Sequence, residues 1–266
     1  MYLKFKNIET FISTGGKKLN SNQPTICFIH GAGQNHFSFV QQTRYFASRG
    51  FNAIAPDFPG HGFSKGQCNS SIEDDTIWLS ELLQEIGINE FVIAGHSQGC
   101  LTAIEFNKLS LKSLKGIIFI AGSAKIPVND FLIEKAKNEP EKAYKLMVTW
   151  GHGKHGSFSI SEFPGHHHLG EGFKVMEMNH KSALINDLSS CNKYEKGLDE
   201  LKNINLDCLA ILAKFDLMTP LKFGKKMVEY INSCECHVLD CGHFLPTEKP
   251  KELNKIIYQY LKNLDI

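Results

Sequence analysis

Phe91-Val92-Ile93-Ala94-Gly95-His96-Ser97-Gln98-Gly99 decides how this chain is read. The apolar run predicts a buried strand, the glycines flanking Ser97 predict a forced turn, and a helix-like segment follows from Cys100. Glycine tolerates a backbone sharp enough to lift a serine hydroxyl above a sheet edge, and the next helix aims its N-terminal dipole at the same point. Ser97 is therefore the candidate nucleophile. Taken alone, G-x-S-x-G is equally a glycine-rich turn carrying a hydrophilic serine, so the rest of the chain has to decide.

A serine hydroxyl is a weak nucleophile at neutral pH and needs a base, which in turn needs an orienting acid. Leu209-Ala210-Ile211-Leu212-Ala213 reads as a buried strand that delivers Asp216 into the loop Lys214–Pro220. Cys236-His237-Val238-Leu239 reads as another strand, leading to Cys241-Gly242-His243-Phe244. A predicted helix from Leu221 to Ile231 separates the two, so Asp216 and His243 leave the same edge of a parallel sheet, where the loops of open α/β sheets gather. After the strand Thr25–Ile29 comes His30-Gly31-Ala32-Gly33, whose small residues allow close approach. The Ala32 amide there, with that of Gln98, is the candidate oxyanion hole.

With strand, elbow, acid and histidine in this order, nearly the whole chain resembles the α/β-hydrolase superfamily, in its serine hydrolase, esterase-like branch. Asp57-Phe58-Pro59-Gly60-His61-Gly62-Phe63-Ser64 is similar to that family's Asp-x-Pro-Gly-His-Gly-x-Ser loop. Asp57 and His61 are read as bonding the loop's own backbone, and His30 as bracing the oxyanion loop, in preference to proton transfer. The resemblance implies a mostly parallel eight-stranded sheet flanked by helices, with a cap inserted after the sixth strand. Residues 1–122 and 195–266 would form the core domain and 123–194 the cap.

Strands are predicted near residues 2–6, 9–13, 25–30, 51–55, 91–95, 116–121, 207–213 and 235–239, the first two as an antiparallel edge hairpin. Mixed three and four spacings predict helices over Ile72–Ile86 and Leu253–Leu264. From Gly122 to about Tyr194 the alternation gives way to helical segments and a loop rich in glycine and histidine. Caps of the resembled superfamily set substrate choice, which nominates Phe131, Met147, Trp150, His152, Phe158, Met176 and Met178 as lining residues. Trp150-Gly151-His152-Gly153 is similar to a Trp-x-His-Gly element in the caps of some bacterial members, which turns His152 toward the pocket.

Composition limits the partners. The 266 residues with 42% hydrophobic content suffice for one large domain, and 29 Lys and Arg against 28 Asp and Glu give a net charge of +1. That balance leaves no electrostatic footprint for nucleic acid. Arg44 and Arg49 are the two arginines of the chain, so a bidentate clamp for a carboxylate or phosphate has few candidates and a neutral substrate is favoured. No apolar run approaches the roughly 20 residues that cross a bilayer, and the start lacks a signal-peptide core, so a cytoplasmic location is expected.

No metal is expected at either of two candidate clusters. Cys27, Cys100 and Cys208 read as reduced core thiols, and Cys234-x-Cys236 with Cys241 and His243 has only the outline of a metal site, because soft-ligand sites need every ligand to converge. His152, His155, His166, His167 and His168 cluster among glycines whose ordering entropy opposes convergence. The expectation is thus a cofactor-free hydrolase of small to medium carboxylic esters. Ser97 also separates the chain from haloalkane dehalogenases and epoxide hydrolases of the resembled superfamily, which use aspartate at that position. Thioesterase, lactonase or carbon–carbon bond hydrolase chemistry shares the same constellation, and a slow or non-catalytic ligand receptor on the same fold is the alternative of a different class.

Overall fold

The computed structural model describes residues 1–153, 165 and 167–264. Eight strands form one sheet: β1 (Tyr2–Phe5), β2 (Ile8–Ser13), β3 (Thr25–Ile29), β4 (Asn52–Pro56), β5 (Phe91–His96), β6 (Leu114–Ile120), β7 (Cys208–Ala213) and β8 (Cys234–Leu239). Their spatial order is β1-β2-β4-β3-β5-β6-β7-β8. β2 pairs antiparallel with both β1 and β4, and every pairing from β4 to β8 is parallel. This is the α/β-hydrolase fold expected from the sequence.

The central strands are apolar throughout because both faces are covered. Ile93, Ile117, Phe119 and Leu212 pack on one face with Trp78, Leu79, Leu82, Ile104 and Met227. Val92, Ala94, Ile118 and Ile211 pack on the other with Phe46, Leu253, Ile257 and Leu261. The covering helices are α1 (Val40–Ala47), α2 (Ile72–Glu85) and α3 (Gln98–Asn107) in the first half of the chain. Inserted between β6 and β7 are α4 (Asp130–Asn138), α5 (Pro140–Gly151), α6 (His168–Glu177), α7 (Ala183–Lys193) and α8 (Gly197–Leu201). α9 (Leu221–Val228), α10 (Leu245–Glu248) and α11 (Pro250–Asn263) complete the order.

Local chemistry fixes several boundaries. α2 begins where the Ser71 hydroxyl accepts the Asp74 amide, and Glu73, Asp74 and Asp75 place negative charge in its first turn. α11 starts three residues earlier than periodicity predicts, because Pro250 occupies its first turn, where a missing N–H costs nothing. β3 lies between β4 and β5, so the chain leaves it first toward one side of the sheet and then toward the other. The crevice at the carboxyl ends of β3 and β5 is therefore a topological switch point, where open α/β sheets gather ligands. Both His30–Gly33 and Ser97 emerge there.

Candidate active site

Ser97 follows β5 at φ 55° and ψ −116°, a left-handed conformation that a residue with a side chain adopts only under constraint. The strained residue is the serine itself, whereas Gly95 and Gly99 are needed for space. A Cβ at Gly95 would overlap the Gly99 carbonyl, and one at Gly99 would overlap the carbonyl of Ile29 on the neighbouring strand. A Cβ at Gly31 would lie 3.0 Å from that of Ser97. The G-x-S-x-G spacing thus lets β5 turn into α3 tightly against β3. The Ser97 amide donates to the Ile120 carbonyl at 3.1 Å, which ties the turn to β6.

Asp216 leaves the carboxyl end of β7 and His243 lies beyond β8, as the sequence order requires. The Asp216 Oδ1 accepts the amides of Met218 at 2.8 Å and Thr219 at 2.7 Å. Its Oδ2 faces His243 Nδ1 at 2.8 Å, and the Thr219 hydroxyl lies 2.8 Å from both that oxygen and the Ala121 carbonyl. Burial by itself would raise the Asp216 pKa, but His243 and the Thr219 donors outweigh it and hold the carboxyl below its usual range. A buried carboxylate fully occupied by donors fixes the imidazole's orientation and leaves Nε2 as its free end.

His96, the residue before Ser97, joins the two loops. Its Nε2 donates to the His243 carbonyl at 2.8 Å, and the two rings touch, tilted by 45°, with centroids 4.9 Å apart. Burial, then the neighbouring His243, push the His96 pKa down to about 3, so its ring is neutral at ordinary pH.

The inserted helices reach the His243 loop through Trp150-Gly151-His152-Gly153. The Gly151 carbonyl accepts the His243 amide at 2.6 Å, and Glu248 Oε2 accepts the amides of Gly153 at 3.0 Å and Gly242 at 3.1 Å. A Cβ at Gly242 would overlap Gly153, so the two segments meet backbone to backbone. His152 donates from Nδ1 to the Val148 carbonyl at 2.7 Å and packs on the Phe244 ring at 4.8 Å.

A cavity of about 350 Å³ opens beside this loop, walled by Phe37, Val40, Val175, Met178 and Phe244, with Gln34, His96 and His152 among its polar members. Of the residues nominated as lining, His152 and Met178 border it. Met147 and Met176 instead face the apolar interior of the inserted helices, and half-buried Trp150 packs on the same cluster. Phe131 is 51% exposed on the first turn of α4 and borders no part of this cavity. Periodicity marks an apolar face without saying whether that face meets a neighbouring helix or a void. Phe158, His155 and His166 lie outside the described residues.

Across the crevice, His30 bonds the Gly31 carbonyl through Nδ1 at 3.1 Å and receives the Phe58 amide on Nε2 at 3.4 Å. Burial, followed by repulsion from His61, keeps its pKa well below the usual value. Asp57 accepts the Phe63 amide of its own loop at 2.9 Å, but it also reaches beyond that loop to His36, accepting its amide at 2.7 Å and meeting its ring Nδ1 at 2.8 Å. His61 bonds the Pro59 carbonyl as a loop-closing side chain would, but its Nε2 also reaches Asp187 of α7, a partner beyond local sequence. The Ala32 and Gln98 amides meet no protein acceptor among the described residues. Among those residues, too, no three His, Cys, Asp or Glu side chains converge to hold a metal, and no helix is long and apolar enough to cross a membrane.

Comparison with known proteins agrees with this architecture. The chain matches the alpha/beta hydrolase family over residues 28–256. It is similar to 3-oxoadipate enol-lactonase 1 of Acinetobacter baylyi, with 21% identity over 245 residues, 91% of this chain and 90% of that protein. The crystal structure of the enol-lactonase from Burkholderia xenovorans LB400 superposes with a TM-score of 0.88 at 18% identity, covering 98% of this chain and 100% of that one. A thermophilic esterase superposes with a TM-score of 0.81 at 23% identity, covering 99% and 97%.

Proposed function

The chain belongs to the alpha/beta hydrolase family, and from that premise we propose that it is a serine hydrolase cleaving carboxylic esters of small to medium, neutral substrates. The observation that carries this reading is the buried Asp216–His243 pair, 2.8 Å apart, in ring and backbone contact with the residue preceding a strained serine. A receptor has no physical need for a serine held at φ 55° or for an imidazole oriented by a buried carboxylate.

In the proposed cycle Ser97 Oγ attacks the ester carbonyl while His243 Nε2 takes its proton. Asp216 steadies the imidazolium, and the Ala32 and Gln98 amides receive the oxyanion. Collapse expels the alcohol, which takes the proton back from His243, and leaves Ser97 acylated. Water, deprotonated by His243, then attacks the acyl carbon, the acid departs and the serine is restored. No step calls for a cofactor.

Residues 123–194 act as a cap over the 1–122 and 195–266 core, and the cavity between α1, α6 and Phe244 receives an apolar part of the substrate. Its charge supports a neutral one: one carboxylate and one ammonium border it, Glu171 accepting the His167 amide and Lys174 paired with Glu177, and neither arginine borders it among the described residues. Arg49 lies over the Tyr45 ring, away from the site. The test is labelling by a fluorophosphonate together with turnover of p-nitrophenyl esters of increasing chain length. Ser97→Ala should abolish labelling and lower kcat by at least roughly 10³-fold. Ester turnover unchanged in Ser97→Ala would overturn the mechanism, and labelling of Ser97 without turnover of any ester would favour the receptor.

A further inference from the structure

Gly33, next to the Ala32 amide, is held on both of its backbone polar groups by side chains from the inserted segment. Asn179, between α6 and α7, donates from Nδ2 to the Gly33 carbonyl at 2.7 Å, while Asp187 of α7 accepts the Gly33 amide on Oδ2 at 2.7 Å. The same two residues also grip the loop after β4. Asn179 Oδ1 accepts the Gly62 amide at 2.7 Å, and the Asp187 Oδ2 is 3.0 Å from His61 Nε2. Three of the four bonds are buried and the Asn179–Gly62 bond partly so.

From this arrangement we infer that Asp187 and Asn179 are positioning residues that set the oxyanion loop, so that the inserted helices act on the rate of the chemical step as well as on substrate choice. The inference rests on the serine hydrolase reading above. Gly33 lies in the left-handed region at φ +65°, where a glycine peptide has wide freedom to turn. Turning it would carry the Ala32 amide with it, and an oxyanion donor is effective only if it is already aimed when charge develops. Clamping the Gly33 carbonyl and amide from opposite partners removes that freedom.

The other proposed donor is tied to the same cluster. Gln98 donates from Nε2 to Asp75 Oδ2 at 3.4 Å, and Asp75 receives Asn69 at 2.9 Å on its other oxygen. Asp75 also lies within electrostatic reach of the Asp187–His61 pair, so the side chain of this second donor meets the same buried group of charges. Leu184 of α7 completes the wall, lying 2.9 Å from where a Gly33 Cβ would stand.

The experiment compares Asp187→Leu, Asp187→Asn and Asn179→Ala with the wild type on p-nitrophenyl butanoate. It also measures inhibition by an alkyl trifluoromethyl ketone, whose adduct with a serine carries the oxyanion. Asp187→Leu should lower kcat by roughly 10- to 100-fold with KM within about threefold, and weaken the ketone in parallel. Asp187→Asn keeps an oxygen that can accept the Gly33 amide and should recover most of the loss. Asn179→Ala should give a smaller fall of the same kind, and it decides the matter if Asp187→Leu does not fold. Variants that melt earlier but keep wild-type kcat and ketone affinity would overturn the inference, leaving a mere fastening of helices to sheet. A wild type that neither labels at Ser97 nor turns over esters would instead overturn the reading beneath it.

Discussion

The sheet and the helices inserted after β6 hold the site by different means. On the sheet side Ser97 is fixed by backbone packing: two glycines whose hydrogens face carbonyl oxygens, and an amide bonded across to β6. On the inserted side the fixing is done by polar bonds between segments far apart in the chain, Gly151 to His243 and Asp187 to Gly33. Packing of the first kind is set once the sheet forms. Bonds of the second kind require the inserted helices to dock correctly as well, so the proposed nucleophile is held by the sheet while the proposed base and oxyanion loop depend on both regions.

The place where this difference can be broken most severely is Gly242. A methyl group there would overlap the Gly153 amide and stand 2.6 Å from the Gly151 carbonyl, and backbone cannot yield as a side-chain tip can. Gly242→Ala should therefore part the two segments and displace His243. A shift of about 1 Å in a catalytic group can cost on the order of 10²-fold in rate. We expect kcat on p-nitrophenyl esters to fall by about that factor while circular dichroism still reports a folded sheet. Wild-type turnover in Gly242→Ala would show that the inserted segment does not govern the base.

A gentler probe is pH. Burial lowers the His61 pKa, but Asp187 reverses this and carries it up to about 9 from an unfolded value near 6.5. A histidine raised on folding contributes stability that is fully present below its unfolded value and is lost as pH rises through its folded one. Asp75, pushed up to about 7 first by burial and then by Asp187, loses its contribution over a lower range, between about 4 and 7. From pH 7 to 9.5 the melting temperature of the wild type should therefore fall more steeply than that of Asp187→Asn, by roughly a few degrees over the interval. Parallel curves would remove the ion pair from the account of how the helices dock.

Legibility in the sequence follows the same division. Each of the eight strands was predictable to within about two residues: β3 to β7, buried on both faces, announce themselves as short apolar runs, whereas β1, β2 and β8 are partly exposed and carry a weaker signal. The order of Ser97, Asp216 and His243 after the ends of β5, β7 and β8 was legible once those strands were placed. Asp187 and Asn179 left no signal, since an acid on a helix or an amide in a connecting loop is ordinarily solvated and its contact with Gly33 spans 154 or 146 residues. His61 shows the boundary well. Its bond to the Pro59 carbonyl is local and could be anticipated from loop chemistry, whereas its bond to Asp187 arises only from docking.

The smallest effect expected concerns Phe131 and Met178, apolar residues that the sequence alone makes equally good lining candidates. They differ in what stands beside them. Phe131, exposed at the start of α4, has its ring near Lys135, 5.6 Å from the ammonium, and away from the cavity. Met178 follows α6 at the cavity wall. Removing a side chain that borders a void enlarges it, and each methylene of an acyl chain that gains or loses apolar contact changes binding by about 0.8 kcal/mol, near fourfold. Met178→Ala should then shift the best p-nitrophenyl ester by one or two carbons with kcat/KM changing a few-fold, while Phe131→Ala should leave every chain length within about twofold. If instead Phe131→Ala reshapes the chain-length profile and Met178→Ala does not, the substrate lies over α4, and the cavity beside Phe244 serves something other than the ester.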